Sequence, residues 1–318
     1  MRLLTFAQNG SIKLGALDAA GSIIDVATRF SEPAYSSMHT LIEGGPAALA
    51  ELKRAVVSTA GTIAPDAVAW LAPLPLPLQM RDFIAFEEHM RAAGWQGAKL
   101  RERWGAPPAP TTAPPVPAIW YDQPLYYKCN RFATTGPDTE VLWPDYSQII
   151  DYELELACVI GVGGRDISAA QAPNHIFGYT IFNDLTARDA QFREMQGPLG
   201  PAKGKDFDNA NVLGPLIVTA EEIDITDLAM RARVNGELWS EGTSATMHWS
   251  FAEMIAHVSR CETLHAGEIF GSGTVGGGCG LELGRFLKHE DTVELEIQNI
   301  GRLSTKIIAP HVKRSVTL

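Results

Sequence analysis

Glu153 and Glu155 stand two residues apart in the run Asp151 to Gly161, which is otherwise largely apolar. Such a run reads as a strand, and in a strand residues i and i+2 point to the same face. Their β-carbons would lie about 6–7 Å apart, at a rise of roughly 3.3 Å per residue. Two like charges on one face of a core strand repel each other and lose solvation unless a cation sits between them. A hard divalent ion, bound by carboxylate oxygens at about 2.0–2.6 Å, answers both costs, which points to Mg²⁺ or Ca²⁺. The plainer alternative is a solvated strand face.

Other residues widen the choice. Asp184 closes a β-branched and aromatic stretch, Gly178–Phe182, where it either caps a helix or offers a third carboxylate to the same ion. Lys205, in a glycine-containing turn, is either a surface lysine or an ammonium that pairs with an anionic substrate or a developing enolate. Asp82 and His89 lie seven residues apart; on a helix they share a face, and the histidine can act as general base or simply face solvent. Gly271, Gly273 and Gly276 match a dinucleotide fingerprint in letters only, because more glycine follows where a helix is required. That segment reads better as a loop whose amides and Thr274 hydroxyl approach a ligand carboxylate.

The elements that must position these groups are mostly strands. Of 318 residues 46% are hydrophobic and 20% charged, the net charge is −11, and the mean hydropathy is −0.01. That balance argues against nucleic acid or an anionic membrane as main partner. No signal peptide or membrane span is visible, and Cys129, Cys158, Cys261 and Cys279 lack paired spacing, so reduced thiols in a cytoplasmic protein are expected. Residues 1–28 read as short strands and residues 40–60 as a helix. The proline cluster Pro73, Pro75 and Pro77 suggests a boundary, with a small N-terminal α+β domain at 1–72 and a catalytic domain at 73–318. Residues 81–94 read as a helix capped by Asp82 and ended by Gly94, and 95–118 as a lid or loop. Strands are expected at 154–162, 178–182, 212–218 and 292–297, a hairpin at Asn235-Gly236, and a helix opened by the capping box Ser250 to Glu253. The fold class is α+β and β-rich.

In this order the pieces resemble the fumarylacetoacetate hydrolase family, over blocks from about Pro73 to Glu282. The resemblance implies a mixed β-roll, barrel-like catalytic domain and a homodimer. It implies that Glu153, Glu155 and Asp184 hold Mg²⁺ or Ca²⁺, with Mn²⁺ an acceptable substitute. The segment Asp82 to His89 is similar to one in which the aspartate is a further metal ligand and the histidine activates water. Leu281-Glu282-Leu283 resembles the segment whose glutamate orients that histidine. Gln191, Tyr127 and Thr274 match substrate-contacting positions, and Lys205 the group that meets the leaving enolate. The family's arginine beyond the catalytic histidine has no clear counterpart; Lys99 is nearest.

The implied activity is metal-dependent hydrolysis of a C–C bond in a 1,3-diketone or acylpyruvate, through a metal-stabilised enolate and His89-activated water, as in the catabolism of aromatic compounds. Decarboxylation, dehydration or keto–enol isomerisation of a 2-oxo acid would use the same metal site. A binding protein that kept the fold without the chemistry is the alternative of a different class. The expected partner is a small anionic oxo-acid or diketone.

Overall fold

The structure is a computed structural model, and it describes residues 1–197 and 199–312. Its frame is an 11-stranded sheet. The strand order is Ile23–Asp25, Ser11–Leu17, Arg2–Gln8, Asn211–Thr219, Ile176–Asp184, Leu154–Ile160, Ile269–Gly271, Met80–Phe83 and Tyr126–Lys128, with Ala69–Leu71 and Thr134–Thr135 paired off this path. Neighbours run antiparallel, except that Ile269–Gly271 lies parallel to Met80–Phe83 and Thr134–Thr135 parallel to Asn211–Thr219. The strand Leu154–Ile160 is buried at every position. A strand covered on both faces needs a near-continuous apolar run, which explains its composition and makes Glu155 the exception that needs a cause.

A second, 5-stranded sheet carries Glu237–Thr243, Ala229–Val234, Thr292–Ile297, Gly301–Ile308 and Thr139–Leu142 in that order. Ala229–Val234 and Thr292–Ile297 bury every second residue, so one face is core and the other is wetter. Leu156, Ile181 and Val212 of the large sheet join Met230, Leu295 and Leu303 of the small one in a single apolar cluster. The fold is α+β and β-rich, and both sheets stay open rather than closing into a barrel.

Several local expectations are met. Asn235 and Gly236 both take positive φ, 52° and 83°, as a tight hairpin turn demands. Ser250 and Glu253 form the reciprocal capping box that opens the helix Phe251–Ser259. Others need correction. Residues 40–60 hold two helices, Met38–Glu43 and Gly45–Val56, broken where Gly45 takes φ +66°. Asp82 caps no helix: it lies in the strand Met80–Phe83, opposite Gly271, and the helix begins at Glu87. Asp82 and His89 therefore share no helical face. The sequence misled because Met80–Phe83 is only four residues long, too short for a period to declare itself.

Gly94 does not end the next helix either. That helix runs Glu87–Glu102, with Glu87 and Glu88 in its first turn and Lys99 and Arg101 in its last, which suits its dipole. Gly94 faces open space, and Gly97 lets the Phe192 ring come against the backbone. The chain after it is pinned back, as Trp95 Nε1 donates to Pro110 O at 2.9 Å. Residues 1–72 contribute strands to the large sheet. Arg2–Gln8 pairs with Asn211–Thr219 (Leu3 opposite Ile217), so the large sheet runs without a break across the proline cluster.

Candidate metal centre

Three strands of the large sheet deliver three carboxylates to one point. Asp82 comes from Met80–Phe83, Glu155 from Leu154–Ile160 and Asp184 from the last position of Ile176–Asp184. One oxygen from each lies within 4.8 Å of the others, and all three residues are buried. Glu155 Oε2 and Asp184 Oδ1 are buried without any hydrogen-bond partner. Orphaned carboxylate oxygens in a dry site are costly, and a hard divalent ion satisfies them. Gly271 passes so close that a β-carbon there would collide with Asp82 Oδ1 and stand 3.0 Å from Glu155 Oε2. The donor set and this bare backbone wall both fit a divalent cation.

The electrostatics agree. Burial, then the charge of Asp184, pushes the Asp82 carboxyl up to about 8. Burial pushes Asp184 up to about 6 although Lys205 opposes the rise, and burial with Asp82 beside it raises Glu155 well above its usual range. Each folded pKa lies above its unfolded value. The contribution of Asp82 and Asp184 to the cation-free chain is therefore fully present below the ordinary value of 3.8, and is lost as pH climbs through about 6 and about 8. A cation must displace the same protons. Its affinity is expected to rise between about pH 5 and about pH 8, roughly tenfold per unit for each proton displaced, in calorimetric titrations with Mg²⁺ or Mn²⁺. A flat profile would mean the acids do not hold the ion.

Glu153 stands apart from this trio. It precedes its strand, bridged to Cys279, and its carboxylate pairs with Lys205 Nζ at 2.5 Å and Arg188 at 2.7 Å. Burial alone would raise it, but the charges of Arg188, Lys205 and His89 outweigh burial and hold it well below the usual range. Lys205 also contacts Asp184, so its ammonium balances two acids. Burial would lower it, yet Asp184 and Glu153 hold it above its ordinary value. The two glutamates thus divide the work, Glu155 facing Asp82 and Asp184 while Glu153 faces the cations.

His89, on the helix Glu87–Glu102, sits with Nδ1 3.0 Å from Glu282 Oε2, both side chains buried. Burial lowers its pKa, but Glu282 outweighs burial and the net shift is upward. Glu282 is fixed in turn by Gly277 N at 3.0 Å. Glu153 and Cys279 both approach a residue that sequence reasoning gave no role, Arg188. Arg188 Nε donates to Asp151 at 2.7 Å, and Asp151 also accepts from Gly280 N at 2.7 Å and Leu281 N at 2.9 Å. This pair anchors the turn that carries Glu282 and the backbone next to Glu153. The signal was in the letters: Asp151 opens the acidic run, and Arg188 follows Asp184 by four residues. Removing Arg188 as Arg188→Leu leaves buried Asp151 without its cation and Glu153 with Lys205 alone, with an expected destabilisation of about 3–5 kcal/mol. Denaturant midpoints at unchanged slope would measure it, and a loss below about 1 kcal/mol would refute the anchoring role.

Asp82, His89, Glu153, Glu155, Gln191, Lys205, Thr274 and Tyr127 line one cavity of about 430 Å³. Tyr127 donates to Asp184 Oδ2 at 2.8 Å, and Thr274 donates to Glu155 Oε1 at 3.3 Å, so both brace acids as well as facing the cavity. Gln191 accepts from Arg188 at 3.1 Å. None of the lining residues comes from 95–118; Met195, Gly200 and Pro201 are among those that line it. Lys99 stacks on the Trp95 ring 3.5 Å away and does not reach the cavity. Among the described residues no helix is long and apolar enough to cross a membrane.

A family profile for the fumarylacetoacetate (FAA) hydrolase C-terminal region matches residues 80–308. Oxaloacetate tautomerase YisK of Bacillus subtilis is 42% identical over 189 residues, which span 58% of this chain and 62% of that protein, less than two thirds of its length. A mitochondrial oxaloacetate tautomerase of Xenopus laevis is 31% identical over 318 residues, 97% of this chain and 90% of its own. Among solved structures, a fumarylacetoacetate hydrolase of Exiguobacterium antarcticum superposes with a TM-score of 0.71 at 27% identity, covering 97% of this chain and 99% of that one.

Proposed function

Since the chain belongs to the fumarylacetoacetate hydrolase family, a family of enzymes, we propose that it interconverts the enol and keto forms of a small 2-oxo dicarboxylate such as oxaloacetate. The observation that carries this reading is the sharing of one cavity by Asp82 and Glu155 of the acid trio and by His89. A divalent ion held by Asp82, Glu155 and Asp184 would polarise the 2-oxo group and stabilise negative charge on its oxygen. Mg²⁺, Ca²⁺ and Mn²⁺ all suit an all-carboxylate donor set.

The rest falls to the chain's own side chains. Glu282 faces Nδ1 of His89, so a proton there leaves Nε2 with its lone pair toward the cavity. Nε2 then takes the proton from the carbon next to the 2-oxo group and delivers it to the oxygen that becomes the enol hydroxyl, and the reverse direction moves the same proton from oxygen to carbon. Lys205 keeps Glu153 and Asp184 charged without net repulsion, and adds positive potential beside the developing oxyanion. Gln191 and Thr274 line the wall where a substrate carboxylate would rest. This step needs one base and no placed water. The names of the relatives from Bacillus subtilis and Xenopus laevis support it.

A second reading is favoured by the pairing of His89 with an acid far away in sequence, which resembles the water-activating pair of fumarylacetoacetase. There His89 would take a proton from water, the hydroxide would attack the carbonyl of an acylpyruvate, and the C–C bond would break as the departing carbon is protonated. The test follows enol-oxaloacetate loss by ultraviolet absorbance and acetylpyruvate cleavage in parallel, with Mg²⁺ or Mn²⁺ and with EDTA. Cation-dependent loss of enol is expected. Cleavage of acetylpyruvate with enol decay at the buffer rate would replace the first reading by the second. Indifference to EDTA in both assays would remove both.

A further inference from the structure

Beside the all-oxygen trio lies a second group of ligand atoms with softer chemistry. His89, Cys279 and Glu282 each offer one such atom, all within 4.8 Å of one another. Cys279 Sγ is 3.3 Å from Glu282 Oε2, and His89 Nδ1 is 3.0 Å from the same oxygen. Ligands around a tetrahedral Zn²⁺ stand roughly 3.4 Å apart, given bonds of about 2.0–2.3 Å, so two of the three edges are already close to that spacing. His89 Nδ1 is buried, and the group facing it is Glu282 Oε2, itself in contact with Cys279 Sγ. A thiol, an imidazole nitrogen and one carboxylate suit Zn²⁺ or Cd²⁺ and are poor ligands for Mg²⁺ or Ca²⁺.

We propose that Cys279, His89 and Glu282 form an inhibitory site for a soft divalent cation, Zn²⁺ above all. On binding, the Cys279 thiol gives its proton to solvent, the ion sheds water, and bonds form to Sγ, Nδ1 and a Glu282 oxygen. Coordination at Nδ1 moves the ring proton to Nε2. The nitrogen facing the cavity then carries a hydrogen and cannot accept one, so the base is switched off while the acid trio keeps its own ion. The inhibition rests on the role of His89 proposed above; the binding does not.

Two measurements separate these claims. Cys261 is the exposed thiol, so the starting protein is C261S, compared with C261S/C279S and C261S/C279A. Titration with Cd²⁺ reads a thiolate-to-metal charge-transfer band without any turnover. The band is expected in C261S and absent from both double variants. Zn²⁺ is expected to inhibit C261S in excess Mg²⁺. Loss of the sulfur ligand should weaken that inhibition by more than the roughly 10–100-fold that outer-sphere partners cause, with Mg²⁺-supported activity retained. A band that survives in the double variants overturns the site. A band that vanishes while Zn²⁺ inhibition persists, relieved by added Mg²⁺, overturns the inhibitory mechanism and assigns that inhibition to the acid trio. A Cys279-dependent band without inhibition of C261S keeps the site and rejects His89 as base.

Discussion

Glu155→Gln is expected to lower activity by at least about 10²–10³-fold while making the cation-free protein more stable. The two signs have one cause. Glu155 Oε2 is buried without a partner and faces Asp82 and Asp184, so its charge is a liability until a cation arrives. The amide keeps the side chain's shape and removes one like charge, a gain on the order of 1 kcal/mol at neutral pH. It also removes a donor from the ion, and with it the rise in melting temperature that Mg²⁺ or Mn²⁺ gives the parent chain. Thermal melts with and without cation, beside the enol assay, read all three effects. If Glu155→Gln were less stable without cation and still responded to Mg²⁺, the trio would not be the metal centre.

His89→Asn is expected to cost about 10²–10⁴-fold in turnover and to leave the cation's stabilising effect intact. The asparagine amide can still face Glu282 where Nδ1 does, which avoids an isolated buried charge, but nothing replaces Nε2. A companion variant, Glu282→Gln, tests the coupling. Glu282 holds the pKa of His89 up against burial. Without that charge the histidine loses its proton at lower pH, so the acidic limb of the rate profile moves to lower pH even as the maximum falls. Unchanged turnover in His89→Asn would remove His89 from the chemistry and leave the cavity as a binding site.

Much of the centre was legible because strands carry long-range information in short strings. Glu155 and Asp184 stood out as acids at β-branched or aromatic strand positions, and both reach the trio. Glu153 looked equivalent to Glu155, since alternation says only which face a residue takes and not whether the strand has begun. The chain becomes regular at Leu154, and Glu153 turns instead to Lys205 and Arg188. Asp82 was singled out on the wrong element, because its four-residue strand offers no period. The partnership of His89 with Glu282 came from family resemblance; a separation of 193 residues hides it from any local pattern. Arg188 and Asp151 were missed because a buried ion pair looks in sequence like two ordinary surface charges.

The unbroken run of the large sheet across residue 73 bears on how the protein can be cut. A fragment starting at residue 80, where the family match begins, would look like a self-sufficient catalytic unit. It would lack Arg2–Gln8, the neighbour of Asn211–Thr219, and so bare backbone donors and acceptors beside Ile217 and Val218. It would also lose Leu4 and Phe6 from the shared core. An unpaired apolar rim of that kind recruits other chains, and such a fragment would be sticky rather than merely smaller.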